Sequence, residues 1–348
     1  MPVQTVSCRL DWTPNVNHSG FFIAQEQGLY AQAGLDVQLV SPHTDEYKST
    51  PLSHVAEKTA DFAITPSESV ISYNTWPDGS KPKVQGIAAC LQDSTSAIVT
   101  LKDSGLDRPN KLDGKRYASY GARYEGRIVQ TMIKHDGGKG DYQELALPML
   151  GIWNSLVKKE AEATWVFLGW EGVEAKMKGI ALNTFKLEDY GVKYGYSPLL
   201  VTHPDTLSSK PDMVRAFLSA TAQGFEFAAA HPEVAAEQFL SAVSKAYASC
   251  PLPEPLDKDM VKEAQVFTAS HYLNSDGRWG VMQPKVWDDF LDWLCANGLL
   301  TTKVQSRASA SDKSTSLDGL RQGDVGEPIP REAISSKSLF TNDFLPKS

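Results

Sequence analysis

Apolar and polar positions alternate at the start of the chain and then change period. Val6, Cys8 and Leu10 are apolar with polar residues between them, the pattern of a half-buried strand. Pro14 and Asn15 break the extended run. From Gly20, the residues Phe21, Phe22, Ala24, Leu29, Tyr30 and Ala33 recur at helical spacing. Gly34 closes that helix, and Leu35, Val37 and Leu39 alternate again. The pattern predicts strand, turn, helix, strand. Its turn carries Trp12, Asn15, Asn17 and His18 at the carboxyl end of the first strand. In open α/β sheets ligands bind at such strand ends.

The same reading predicts strands over 5–12, 35–40, 61–65, 84–91, 96–102, 116–120, 144–148, 163–168, 183–187 and 198–202. Helical periods lie between them. The last third reads as mostly helical, with helices over 213–229, 233–242, 257–271 and 285–296. Strands alternating with helices predict an α/β fold with mostly parallel sheets. The stretch 302–337 is rich in Ser, Lys, Asp and Gly, lacks a period and reads as a long surface loop.

Three further turns hold chemistry. Thr65-Pro66-Ser67-Glu68-Ser69 follows a strand and starts a helix. Its backbone N–H groups suit an anion or a ring substituent, and Glu68 alternatively serves the helix dipole alone. Tyr120-Gly121-Ala122-Arg123-Tyr124-Glu125-Gly126 has a similar layout. Arg123 there offers a fork for phosphate or carboxylate, or is simply solvated. Phe167-Leu168-Gly169-Trp170-Glu171-Gly172 brackets an aromatic and a carboxylate between glycines. Trp12 and Trp170 suit two stacking walls for a flat ring. His18 serves either a ligand or the local turn.

Composition narrows the classes. A chain of 348 residues accommodates two domains. With 34 basic and 42 acidic residues the net charge is −8, which argues against nucleic acid as a partner. No apolar stretch reaches membrane-spanning length. The start MPVQTVSCRL lacks a signal-peptide pattern, so the expected location is cytoplasmic, or extracytoplasmic if a leader was trimmed. The four cysteines are scattered singly, and the seven histidines are dispersed. No metal site, no cofactor and no catalytic residue is expected, since no GxGxxG, P-loop, GxSxG or HExxH stands in the chain.

Short motifs spread along the chain carry a resemblance. They are Asp11, Trp12, Pro14 and His18, followed by Gly34-Leu35-Asp36; Ala60-Asp61-Phe62; Lys102-Asp103-Ser104-Gly105; Leu112-Asp113-Gly114-Lys115; Gly169-Trp170-Glu171-Gly172; Arg278-Trp279-Gly280; and Phe340-Thr341-Asn342-Asp343-Phe344-Leu345. In this order they resemble the thiamine-pyrimidine (NMT1/THI5-like) family. One branch comprises bacterial receptors for a thiamine pyrimidine precursor, and the other fungal synthases of the phosphorylated hydroxymethyl-pyrimidine.

The resemblance implies a type II periplasmic-binding-protein fold with two α/β lobes and a ligand cleft between them. Residues 1–98 and 199–348 would form the first lobe and 99–198 the second, with crossings near 93–100 and 196–202. The turns and the resemblance together give as candidate ligand contacts Trp12, Asn17, His18, Glu68, Tyr120, Arg123, Tyr124, Trp170 and Glu171, with Glu171 accepting from the exocyclic amine of an aminopyrimidine. The partners implied are that small heterocycle and, for an exported protein, a membrane transporter. The synthases carry a lysine and a histidine where this chain has Thr65 and Ser69, and a cysteine-rich run it lacks. The expected activity is therefore non-covalent binding. The alternatives are a synthase-like enzyme using pyridoxal phosphate and iron, or a receptor for another solute such as a sulfonate.

Overall fold

The computed structural model describes residues 3–75, 84–306 and 314–347. In chain order its main strands are β1 (Gln4–Arg9), β2 (Leu35–Val40), β3 (Phe62–Thr65), β4 (Gln85–Ala89), β5 (Ser96–Leu101), β6 (Arg116–Ser119), β7 (Gln143–Ala146), β8 (Ala163–Phe167), β9 (Leu182–Lys186) and β10 (Leu199–Thr202). They form two five-stranded sheets, one ordered β2-β1-β3-β10-β4 and the other β7-β6-β8-β5-β9. Each strand expected from alternation has its counterpart. The chain leaves the first sheet after β4 and returns at β10.

In each sheet four of the five strands share one direction, as expected, and one strand runs against them. β1 runs parallel to β2 and β3, and β6 parallel to β7 and β8. By contrast β10 is antiparallel to β3 and β4, and β5 is antiparallel to β8 and β9. These are the first strands after each crossing. Each enters straight from the other sheet, without the crossover helix that turns a chain parallel.

The predicted opening helix is broken into Ser19–Glu26 and Leu29–Gln32. Gly28 between them adopts a left-handed φ of +69°, a conformation that ends a helical run. The helix Ser19–Glu26 packs closely on the long helix Pro211–Ala230. A Cβ on Gly224 would stand 2.0 Å from the carbonyl oxygen of Gly20, so only glycine allows this approach. On the same long helix, Phe217 stacks on Phe62 of β3 at 4.2 Å between centroids. Each such fully buried ring contributes about 1.5–3 kcal/mol.

The C-terminal part also holds the first sheet. Phe340 stacks on Trp287 at 5.7 Å, and the Thr341 N–H donates to the Gly86 carbonyl at 2.9 Å. The described part of 302–337 is not the plain loop that its composition suggests. It contains the paired segments Val304–Gln305 and Ser314–Thr315 and the helix Leu317–Arg321; residues 307–313 lie outside the described residues. Polar side chains anchor it beside the second sheet. Gln305 accepts from the Gly126 N–H at 2.8 Å, and Arg321 donates to the Tyr142 carbonyl. Among the described residues no helix is long and apolar enough to cross a membrane.

Candidate functional site

A cavity of about 180 Å³ opens where strands of both sheets end. Trp12 follows β1, Pro66 and Glu68 follow β3, Tyr120 and Glu125 follow β6, and Trp170 and Glu171 follow β8. Tyr194 and Ser197, from the crossing into β10, also line it. The site thus lies at the carboxyl ends of strands, as in other α/β sheets. The volume suits one substituted ring rather than a dinucleotide.

Each segment is held locally. β1 ends at Arg9, so Trp12 lies inside a turn and not at a strand end. Its ring meets Tyr47 at 5.2 Å and the edge of Tyr120 at 5.6 Å. Beyond it Asn15 caps a single 3₁₀ turn, Val16–His18. Gly121 takes a left-handed φ of +68° and lets the chain turn from β6 toward the helix Glu125–His135. β8 runs into one π-type turn, Leu168–Gly172, an irregularity common at functional sites. That wide turn presents Trp170 and Glu171 together.

Three glutamates set the electrostatics. Glu68 is buried, and its Oε2 accepts from the Tyr124 N–H at 3.3 Å. Burial, reinforced by the nearby Glu125 carboxylate, pushes its pKa up to about 8. Glu125 accepts from the Tyr117 hydroxyl at 2.8 Å and from the Tyr120 and Ala122 N–H groups at 3.1 and 3.0 Å. Burial raises its pKa too, against those bonds. Glu171 accepts from the Phe167 N–H at 3.0 Å, and burial pushes it up to about 7. Its side chain stays partly open to the cavity, so water there moderates that shift. Asp11 is the fourth acid in the lining, and no lysine or arginine joins them among the described residues. Near neutral pH the more strongly shifted Glu68 favours its protonated form and can donate, while Glu171 accepts in its carboxylate form, which gains as the pH rises past about 7. Aromatic walls, several carboxyl acceptors and the donors of residues such as Asn17 and Ser197 fit a flat ring bearing amines.

Among known proteins, the family profile described as NMT1/THI5 like matches residues 15–235. The chain belongs to the NMT1/THI5-like family. It is 24% identical to the formylaminopyrimidine-binding protein of Halalkalibacterium halodurans over 305 residues, covering 87% of this chain and 88% of the relative. It is 23% identical to the 4-amino-5-hydroxymethyl-2-methylpyrimidine phosphate synthase THI11 of Saccharomyces cerevisiae, covering 69% and 72%. A synthase of the same name from Legionella pneumophila is 21% identical and covers 79% of this chain and 83% of the relative. In fold it matches the alkanesulfonate-binding protein SsuA of Xanthomonas axonopodis pv. citri, with a TM-score of 0.61 at 12% identity over 88% and 97% of the two chains. This NMT1/THI5-like chain thus has the periplasmic-binding-protein fold.

Of the nine residues picked from the sequence, the structure brings six to this cavity: Trp12, Asn17, Glu68, Tyr120, Trp170 and Glu171. The other three stand outside its lining. His18 is fully buried, with Nε2 2.7 Å from Asp11 Oδ1 and Nδ1 accepting from the Asn15 N–H at 3.2 Å. Both ring nitrogens are spent on the turn, so His18 orients Asp11, which does line the cavity. The Arg123 guanidinium lies over the Tyr73 ring at 5.5 Å. Tyr124 is buried and reaches the cavity only through its N–H on Glu68. Glu125, Trp165, Phe167, Tyr194 and Ser197 line the site without having been singled out. Glu125 stood in the quoted turn 120–126 with no role assigned to it. Tyr194 and Ser197 have no motif, and only their place in the second crossing could have marked them.

Thr65 closes β3 and is buried, and Ser69 lies in the following helix Ser67–Asn74. Neither side chain can form an imine.

Proposed function

We propose that this chain binds an unphosphorylated aminopyrimidine of thiamine metabolism without covalent chemistry, for uptake, salvage or biosynthesis. The observation that carries the reading is the cavity's lining: aromatic rings with Asp11, Glu68, Glu125 and Glu171, and no cationic side chain among the described residues. Such a lining favours amine donors and disfavours phosphate or sulfonate, whose recognition calls for positive groups. The formylaminopyrimidine-binding relative supports the same ligand class. Thr65 and Ser69, standing in place of an imine-forming lysine and its histidine, favour binding over a synthase. If exported, the protein would hand its ligand to a membrane transporter.

Titration calorimetry with a formylaminopyrimidine and, separately, an alkanesulfonate tests this. Saturable binding of the pyrimidine alone is expected. Binding of the sulfonate alone would transfer the protein to the other branch of solute receptors.

A further inference from the structure

The inner cavity adjoins a larger chamber of about 480 Å³, and the two share Trp12, Tyr120, Met149, Trp170 and Glu171 in their linings. Three segments distant in sequence supply most of the chamber's lining. They are Leu150 and Trp153 beyond β7, Glu174, Met177 and Lys178 after β8, and the proline-rich run 252–257. Leu150 and Met177 are among the few large apolar side chains that stay exposed, and both face this space. An exposed apolar surface gathered in one place marks a contact site.

Its charge points one way. Glu171, Glu174, Glu254 and Asp257 line it against a single cation, Lys178, which is already paired with Glu174. Trp12, Trp153 and Trp170 supply ring faces beside this excess of negative charge. Aromatic faces with carboxylates are the usual surroundings of a bound organic cation. A bare pyrimidine in the inner cavity would leave all of this empty.

We propose that the outer chamber is a second subsite, and that the ligand is bipartite. The aminopyrimidine occupies the inner cavity and carries a flat, permanently cationic group into the chamber. This rests on the pyrimidine reading above and adds to it the class of the substituent. Trp153 and Glu254 belong to the chamber only. Glu254 is exposed; Trp153 is half-buried and also packs on the small cluster of Ala97, Val99, Leu101, Leu156 and Val166, so a melting curve of Trp153→Ala accompanies its titration.

Three probes test it by calorimetry: a 4-aminopyrimidine, the same ring joined through a methylene to a pyridinium, and the same ring joined to a neutral phenyl. The pyridinium compound should bind at least tenfold more tightly than the bare ring, and more tightly than the phenyl compound. Trp153→Ala and Glu254→Gln should each remove most of that gain and leave the affinity for the bare ring unchanged. If the bare ring binds and the pyridinium adds nothing, the subsite is refuted while the pyrimidine reading stands. Equal gains from phenyl and pyridinium would refute the cationic class. If none of the three binds, the pyrimidine reading itself falls, and the subsite with it.

Discussion

The Glu68 carboxylate accepts the backbone N–H of Tyr124 at 3.3 Å, and this bond joins the helix start after β3 to the turn after β6. It therefore ties the strand ends of one sheet to those of the other across the candidate site. Because Glu68 is buried beside Glu125, its pKa is raised from an ordinary 4.5 to about 8. The folded chain thus holds a proton that the unfolded chain releases above about pH 4.5. Stability from this group is complete below that value and declines as the pH rises through about 8. Glu68→Gln keeps an acceptor for Tyr124 and removes the titration. Melting curves from pH 4.5 to 9 should fall less steeply for the variant, and each kcal/mol separating the two should appear as about 2–4 °C. Parallel curves would mean that Glu68 is ionised in the fold throughout.

Trp12 supports a second prediction. It lines the inner cavity and rests on Tyr47 and the edge of Tyr120. Trp12→Ala should weaken pyrimidine binding by about 1–3 kcal/mol, the range seen for loss of one ring-stacking partner. Fluorescence or calorimetric titration reads this directly. A folded variant with wild-type affinity would remove Trp12 as a wall.

Alternation located β1 and β2, whereas β3, β5, β8 and β10 are buried on both faces and stood out as short, mostly apolar runs between turn signals. Direction was not legible. Whether β5 and β10 run parallel or antiparallel depends on how the chain crosses between sheets, which no local period encodes. The site was legible where a turn residue is chemically conspicuous, as with Trp12, Trp170 and Glu171. His18 was legible as important but not in its role, since its partners Asp11 and Asn15 are fixed by the fold of the turn. Tyr194 and Ser197 were not legible, because their place in the cavity follows from the path of the second crossing. The segment holding Gln305 was read as loop because its anchors are single side-chain bonds to distant residues, not a periodic face.

The buried His18 gives a third prediction. The Asn15 N–H donates to its Nδ1, so Nε2 carries the proton donated to Asp11. His18→Ala strands both a buried N–H and a cavity carboxylate. Stability should fall by about 1–3 kcal/mol in urea titrations, the cost of leaving buried polar groups unpaired. Affinity should fall alongside it as Asp11 loses its orientation. A variant of unchanged stability that loses only affinity would show that the imidazole contacts the ligand itself.

Glu171 separates recognition from support. One of its oxygens accepts from the Phe167 N–H at 3.0 Å, and its side chain also lines the cavity. Glu171→Gln retains an amide oxygen for Phe167 and replaces the second acceptor by a donor. The local turn should survive, so the melting temperature should change little. Binding of an aminopyrimidine should weaken by about 1.5–3 kcal/mol, the contribution of a hydrogen bond to a charged group. pH adds an independent signature. The carboxylate form that accepts from the amine predominates above about pH 7. With a ligand whose ring does not titrate in this range, wild-type affinity should therefore rise from pH 5.5 to 7, below the range in which Glu68 titrates, and that of Glu171→Gln should stay flat. Calorimetry at three pH values distinguishes the outcomes. If the variant instead loses stability and keeps both its affinity and the pH trend, Glu171 only supports the turn, and another of the lining acids receives the amine.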